Sequence, residues 1–481
     1  MHRRTFVRTA AAASAAPLLG APLVVPRHVL GGAGHTAPSD QVAVGVIGAG
    51  GMGAANAGAV LRAGGVRIAA IADVDLPRVM RALADGRANE DAARRDQSAR
   101  LDAAYRAATA YADYREMLAR EAGLDAVVIG APDHVHAHAA LVAMGRGLHV
   151  YAQKPLAATV HEGRRMAAAA EAAGVVTQMG NQGHSGDDGR RVVEVLRAGV
   201  IGPVREVQAW TNRPNGWWYQ GVPATEPEPV PDGLAWDLFL GPNPAQPYRP
   251  GLHPFGWRGW VGFGTASLGD MGAHLLDFPV WALDLPRPGR VETRHTPWGG
   301  DRDSPATYPL ATVTTYRFDA AGPAAGAADP GTAIPMTWYD GGLLPPTPTT
   351  APDGFALDPN GGVLYVGDRG ILVHETYGQN PRFLPHDPAD DLAADAAAVP
   401  ATLPRIRGGR AGHEANWLRA IRGEEAASCP FAYGAHLNEI MLLGVSAMWA
   451  GRPLAVAPDG TLDADPSVLT REYRPGWELP A

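Results

Sequence analysis

Lysine is almost missing from this chain. Of the 41 lysines and arginines only Lys154 is a lysine, in the stretch YAQKPLA. In a composition rich in Ala, Gly, Pro and Arg, lysine has given way to arginine wherever the exchange was harmless. A position that keeps it needs what arginine lacks, a compact ammonium whose pKa burial can lower and which can donate a proton or steady an alkoxide. Cysteine is equally scarce: Cys429 is alone, so no disulfide can form within the chain. Positive charge is not in surplus, and a net charge of −8 leaves no basic surface for nucleic acid. Long apolar runs are absent too, the N-terminal one being too short and too weakly apolar for a stable membrane span. What remains, 46% hydrophobic and 19% charged, is an ordinary globular composition, and 481 residues predict two or three domains.

The chain opens MHRRTFVRTAAAASAAPLLGAPLVVP, with Arg3 and Arg4 adjacent, Phe6 close behind and an Ala-rich run to Val25. This has the form of a twin-arginine export signal, which moves folded proteins across a membrane. With the Gly/His/Pro/Ser stretch that follows, it predicts that residues 1–40 are signal and linker and that the protein works in the periplasm or elsewhere outside the cytoplasm. A single cysteine agrees with maturation before export.

From Gln41 the sequence becomes regular. Residues 42–47 form an apolar, β-branched run, Gly48-x-Gly50-Gly51-Met52-Gly53 follows, residues 54–63 suit a helix, and a second apolar run, 66–72, ends at Asp73. Strand, glycine turn, helix, strand and acid make up a dinucleotide-binding unit. The glycines permit the tight turn and let backbone approach a pyrophosphate at the helix N-terminus, while Asp73 accepts from ribose hydroxyls. An acid at 73 repels a 2′-phosphate and selects NAD over NADP, and Asp75 adds to that preference. Residues 76–122 read as polar helix. Strands at 125–132, 148–153 and 175–180 then alternate with helices from about 135 and 159, which predicts a doubly wound parallel sheet. Ligands bind beyond the carboxyl ends of such strands. Lys154 sits at one of these ends, stiffened by Pro155, and Thr159-x-x-Glu162 is a capping box for the next helix.

In the second half, TASLGDMGAHLLD places Asp270 and His274 on one face of a helix, where a carboxylate can orient the imidazole that exchanges a proton or join it at the substrate. His134, His136 and His138 with this pair also raise a zinc site, but the spacing meets a metal motif only in part and no metal is predicted. Those histidines are read as lining of the cofactor cleft and helix start, with His138 structural. Asn181, Gln182 and His184 either bind a polyhydroxylated ligand or tie down their loop. Six of the twelve tryptophans fall between 210 and 260. Most are expected in a core or subunit interface; one or two, above all Trp257 beside Arg258, are expected to form an aromatic platform for a sugar. Proline- and glycine-rich segments at 222–233, 321–335 and 343–361 are expected as loops walling the substrate cleft.

The glycine loop, APDHVHAHAA (131–140), Gln153-Lys154-Pro155, GDMGAHLLD (269–277), WYDGG, GHEANWLRAI and YRPGWEL together resemble the Gfo/Idh/MocA oxidoreductases, including their exported members. The resemblance implies an α/β protein with a Rossmann domain over 41–155. A substrate-binding and oligomerisation α/β domain would follow over 156–481, with a large, mainly antiparallel open sheet and assembly into a homo-oligomer, a dimer or tetramer. It carries the active-site lysine onto Lys154 and the catalytic Asp-x-x-x-His pair onto Asp270 and His274. Gly48, Gly50, Met52, Gly53, Asp73, Pro132, His136 and Gln153 fall to the cofactor, and Asn181, Gln182, Trp257 and Arg258 to the substrate. Gln153 departs from the family's glutamate and removes a carboxylate beside Lys154. The expected reaction is hydride transfer between a secondary alcohol of a sugar or polyol and nicotinamide. Alternatives are a redox-neutral NAD-dependent glycosidase that oxidises a hydroxyl transiently and eliminates the aglycone, and a nucleotide-binding module without catalysis. Lys154→Arg keeps the charge and loses the compact donor, so turnover is expected to fall by about 10²- to 10⁴-fold with the fold intact; near-normal turnover in that variant removes the argument from lysine.

Overall fold

The computed structural model describes residues 41–319, 333–349 and 351–480. The segment read as an export signal and linker, and most of the loop at 321–335, lie outside them. Strand β1 (Val42–Ile47) is buried at five of its six positions, as a central parallel strand must be. Helix α1 (Gly51–Ala63) leaves the glycine turn and returns to β2 (Val66–Ala72). The turn is shaped by contact between backbones. Gly48 has φ of +75°, and a Cβ on Gly53 would lie 1.8 Å from the Gly48 carbonyl oxygen, so only glycine allows the helix to start so close to the strand.

The segment expected as continuous polar helix divides into α2 (Leu76–Arg87), α3 (Ala92–Ala107), a short strand β3 (Thr109–Tyr111) and α4 (Tyr114–Arg120). Three residues with no apolar alternation gave β3 no periodicity to read; it exists because it pairs in parallel with β2 at the sheet edge. Then follow β4 (Ala126–Ile129), α5 (Asp133–Met144), β5 (His149–Ala152), α6 (Val160–Ala173) and β6 (Thr177–Met179). The capping box at the start of α6 is formed, Thr159 and Glu162 each bonding the other's backbone N–H. The six strands lie in the order β3-β2-β1-β4-β5-β6, all parallel. Because β6 completes this sheet, the nucleotide fold runs past the expected boundary at 155 to about residue 180.

After α7 (Asp187–Arg197) an eight-stranded sheet is built in the order β15-β14-β13-β7-β12-β11-β8-β16. Its strands are β7 (Val204–Thr211), β8 (Arg290–His295), β11 (Thr312–Phe318), β12 (Ile334–Tyr339), β13 (Gly361–Gly367), β14 (Gly370–His374), β15 (Arg382–Pro385) and β16 (Leu454–Ala455); β9 (Gly299–Asp301) and β10 (Ser304–Thr307) form a separate hairpin. Only β7 and β12 pair in parallel, so the mainly antiparallel sheet is as expected. Short helices α8 (Trp236–Leu240), α9 (Ala266–Leu275), α10 (Asp277–Ala282) and α11 (Leu392–Ala398) lie between strands. Helix α13 (Phe431–Ala450) is buried on nearly every side and packs against α6, α9 and β8, so one helix joins the nucleotide fold, the Asp270 helix and the second sheet. Helix α12 (His413–Ile421) returns to pack on α1. Residues from Val42 onward form one compact unit.

Replacing Gly53 with alanine drives a methyl into the Gly48 carbonyl. The expected cost is about 1–3 kcal/mol in denaturant unfolding, together with a clear loss of NAD affinity by calorimetry; wild-type stability and affinity in Gly53→Ala contradict this reading of the turn.

Candidate active site

One cleft of about 620 Å³ runs from the glycine turn to helix α9. At one end lie Gly48, Gly50, Met52 and Asp73, at the other Lys154, Asp270 and His274, with Pro132, Gln153, Gln182, Trp257 and Arg258 between or around them. Most of the residues expected from sequence therefore meet in a single space.

The cofactor end is preformed. Asp73 accepts from the backbone N–H groups of Gly50 (3.2 Å) and Asp75 (2.8 Å), which aims its carboxylate at the turn while burial lifts its pKa above the ordinary value. A Cβ on Gly50 would lie 3.0 Å from the Arg78 guanidinium, which covers the turn beside Asp73. The space over the turn, its free backbone N–H groups and the acid at the end of β2 fit the pyrophosphate and ribose of NAD. Asp75, expected to add to the preference for NAD, is engaged elsewhere. It caps α2 by accepting from the Arg78 N–H at 3.1 Å, and its carboxylate lies 3.6 Å from the Arg78 guanidinium and 3.7 Å from His253.

At the catalytic end, Lys154 Nζ donates to Asp270 Oδ1 at 2.9 Å and to the Asp270 carbonyl at 2.8 Å. Arg258 Nε lies 3.4 Å from the same carboxylate oxygen. Burial opposes ionisation of Asp270, but the two cations outweigh it and hold its pKa down at about 2. His274, one helical turn on, is kept neutral by burial and then by the Lys154 charge, with its pKa lowered to about 3. Its Nδ1–H donates to Asn181 Oδ1 at 3.1 Å, which leaves Nε2 as a bare lone pair with no protein partner among the described residues. Asp270 was expected to orient either this histidine or the substrate; Asn181 bonds the histidine, and Asp270 is committed to Lys154 and Arg258.

Asn181, expected on the substrate, is thus fully buried behind His274, whereas its neighbour Gln182 does line the cleft. His136, expected at the cofactor, is buried with Nδ1 2.9 Å from the Pro155 carbonyl and Nε2 2.7 Å from that of Ala131, and so braces the lysine loop from behind. Gly53 packs against Gly48 beneath the cofactor rather than lining the space. His134 faces the carbonyls of Phe239 and Phe263, His138 bonds the Tyr114 hydroxyl, and His184 bonds Asp277 and stacks on Trp281 at 4.0 Å. These imidazoles serve the packing of their loops, and no group of three metal-ligating side chains is brought together among the described residues.

Gln153 Nε2 donates to Asn56 Oδ1 at 2.9 Å; Asn56 in turn donates to Glu414 Oε1 at 2.7 Å, which also accepts from Tyr151 at 3.3 Å. A glutamate at 153 would have no proton for Asn56 and would set a second carboxylate against Glu414. The departure from the family's glutamate is thus matched by an acid from helix α12.

Sequence reasoning missed Asp133, Arg213, Trp217, Trp218 and Tyr377, all of which line the cleft. Asp133 accepts from Thr265 at 2.8 Å, and burial raises its carboxyl to about 7. Tyr377 meets His274 edge to face at 5.1 Å. Trp217 and Trp218 belong to the tryptophan cluster, but nothing in their spacing separated them from Trp210, Trp236 and Trp260, which are core. The loops at 222–233 and 343–361 do not wall the cleft; its rim comes from 213–218, 253–258 and 376–377.

Two sequence models of the Gfo/Idh/MocA family match the chain. One, described as an oxidoreductase family with an NAD-binding Rossmann fold, covers residues 42–181; the other, its C-terminal alpha/beta domain, covers 188–294. The scyllo-inositol 2-dehydrogenase (NADP(+)) IolU of Bacillus subtilis is 37% identical over 81 residues, 17% of this chain and 24% of that protein. An uncharacterised oxidoreductase, ORF334 of Rhizobium meliloti, is 33% identical over 114 residues, 22% of this chain and 34% of that protein. The matches thus span about a third or less of these relatives. Among solved structures, the WlbA dehydrogenase of Bordetella pertussis in complex with NADH and UDP-GlcNAcA has a TM-score of 0.55 at 16% identity, covering 87% of this chain and 99% of that one. A levoglucosan dehydrogenase with NADH has a TM-score of 0.51 at 17% identity over the same shares. At these identities the likeness concerns the fold.

Burial lowers the pKa of His274 and His134 to about 3 and of His138, His253, His374 and His413 to about 4. The unfolded chain takes up these protons near 6.5, so this stability is present above 6.5 and lost as pH falls toward 4. Asp133 and Asp340, both raised to about 7, act in the opposite sense but are outnumbered. The thermal midpoint is expected to fall between pH 7 and 4.5; one that is constant or rises contradicts the neutral, buried state of these histidines.

Proposed function

Because the chain belongs to the Gfo/Idh/MocA oxidoreductases and carries their NAD-binding Rossmann fold, we propose that it transfers a hydride between a secondary alcohol of a sugar or polyol and nicotinamide. The observation that carries this reading is the arrangement of Lys154, Asp270 and His274 at the end of the same cleft that begins at the glycine turn. When bound, NAD supplies the hydride acceptor. The chain's own residues do the rest. His274 Nε2, its other nitrogen fixed by Asn181, takes the hydroxyl proton. Lys154 has two of its three N–H groups on Asp270, and the third is free to bond the substrate oxygen and steady its developing charge. Asp270 keeps the ammonium in place. Asp73 selects NAD by its charge, with Arg78 over the turn as the group that a 2′-phosphate would have to engage.

A sugar or polyol substrate is supported by the cleft wall. Trp217, half exposed, lines it together with Trp218, Trp257 and Gln182, a combination of aromatic and amide side chains that suits the CH faces and hydroxyls of a pyranose. The relatives and neighbours named above act on or bind an inositol, an anhydrosugar and a nucleotide sugar by their names.

The test is the absorbance of reduced nicotinamide while the protein, with NAD added, meets a panel of sugars, polyols and glycosides. A rising signal with one compound class is expected. A flat trace with aglycone released in the same cuvette assigns redox-neutral glycoside cleavage instead, and a flat trace with every compound and no product removes the catalytic reading.

A further inference from the structure

The charges at the substrate end do not cancel. Lys154, Arg213 and Arg258 line it together with the carboxylates of Asp270 and Asp133. Asp270 is shared between Lys154 and Arg258, and Asp133, whose burial raises its carboxyl to about 7, carries only part of a negative charge at neutral pH. Arg213 has no carboxylate partner among the described residues. Its guanidinium carbon lies 3.5 Å over the centre of the Trp217 ring, and its one side-chain hydrogen bond runs from Nη1 to Asn212 Oδ1 at 2.7 Å, so Nε and Nη2 are left open. Across the rim, exposed Arg410 sits over the Tyr377 ring at 4.5 Å, also without an acidic partner among the described residues. The charges of Lys154, Arg410 and Arg213 all reach His274, so these cations lie near the Asp270 and His274 end of the cleft and not on a distant surface. Bound oxidised nicotinamide brings one more positive charge to this end.

A neutral sugar could hydrogen-bond the fork of this half-buried guanidinium but would leave its charge unanswered. A planar carboxylate fills such a fork in two parallel hydrogen bonds. We propose that the substrate carries a carboxylate, as in a uronic acid or a uronoside, and that Arg213, held on Trp217, is the residue that selects it. The proposal rests on the reading of this cleft as one that oxidises a sugar.

Tryptophan fluorescence of the full chain with NAD present, titrated with glucose, glucuronate and glucose 6-phosphate and with galactose and galacturonate, tests it. The uronates are expected to bind at least tenfold more tightly than the matched neutral sugars. Arg213→Gln is expected to cut this ratio below threefold, and Arg213→Lys, which keeps the charge and loses the fork, to restore part of it. Equal affinity for acid and neutral sugars, a ratio unmoved in Arg213→Gln, a preference for the phosphate over the carboxylate, or no binding of any uronate overturns the proposal. Reduced-nicotinamide absorbance on the same mixtures separates the two claims. Turnover of neutral sugars without an acid preference overturns the carboxylate and keeps the oxidoreductase, whereas tight uronate binding that depends on Arg213, without hydride transfer, does the reverse.

Discussion

Everything in the cleft depends on the ion pair between Lys154 and Asp270. It joins the carboxyl end of a parallel strand to a helix more than a hundred residues further on, with side chains only 15% and 12% exposed. Two charges taken so far out of water are costly to leave unpaired. Each therefore fixes the other: the ammonium keeps the carboxylate ionised, and the carboxylate, with its own backbone carbonyl, holds the ammonium at the far end of the cleft from the glycine turn. The neutral state of His274 follows from the same pair, because burial and the neighbouring positive charge both disfavour a second cation there.

The pair can form only because the two sheets are held at a fixed spacing by helix packing. Helix α13 has no polar face to give to solvent over most of its length, and small residues set its distance from its neighbours. A Cβ on Gly272 of α9 would lie 2.9 Å from Met441, and one on Gly163 of α6 would lie 3.0 Å from Asn438. Close approach at both points brings the Asp270 helix and the nucleotide fold to opposite sides of one rod.

The sequence showed the nucleotide fold clearly, since β1, the glycine turn, β2 and Asp73 each carry a local signal, of period or of turn chemistry, that no tertiary context is needed to read. Asp270 and His274 were legible for the same reason, four residues apart on one helix. What was not legible depended on distance along the chain. That Asn181 and not Asp270 orients His274 is decided by where β6 ends relative to α9, and no spacing reports it. His136 looked like a ligand by its place in the motif and proved to be a brace, because both its nitrogens meet carbonyls, one of them 19 residues away. Strand β3 had too few residues for a period, and Arg213 and Tyr377 reach the cleft on loops that follow β7 and β14.

The hydrogen-bonded chain from Gln153 through Asn56 to Glu414 spans 358 residues between its last two members. Helix α12, which carries the acid, packs on the helix that begins the cofactor turn. A ribosome that has finished all six parallel strands has therefore made a complete sheet but not a complete hydrogen-bonded chain: Asn56 lacks its acid until residue 414 emerges. Long-range contacts of this kind form late and slowly. In synthesis, the Asn56 amide thus gains its acid partner only near the end of the chain, long after the domain that carries it has been made.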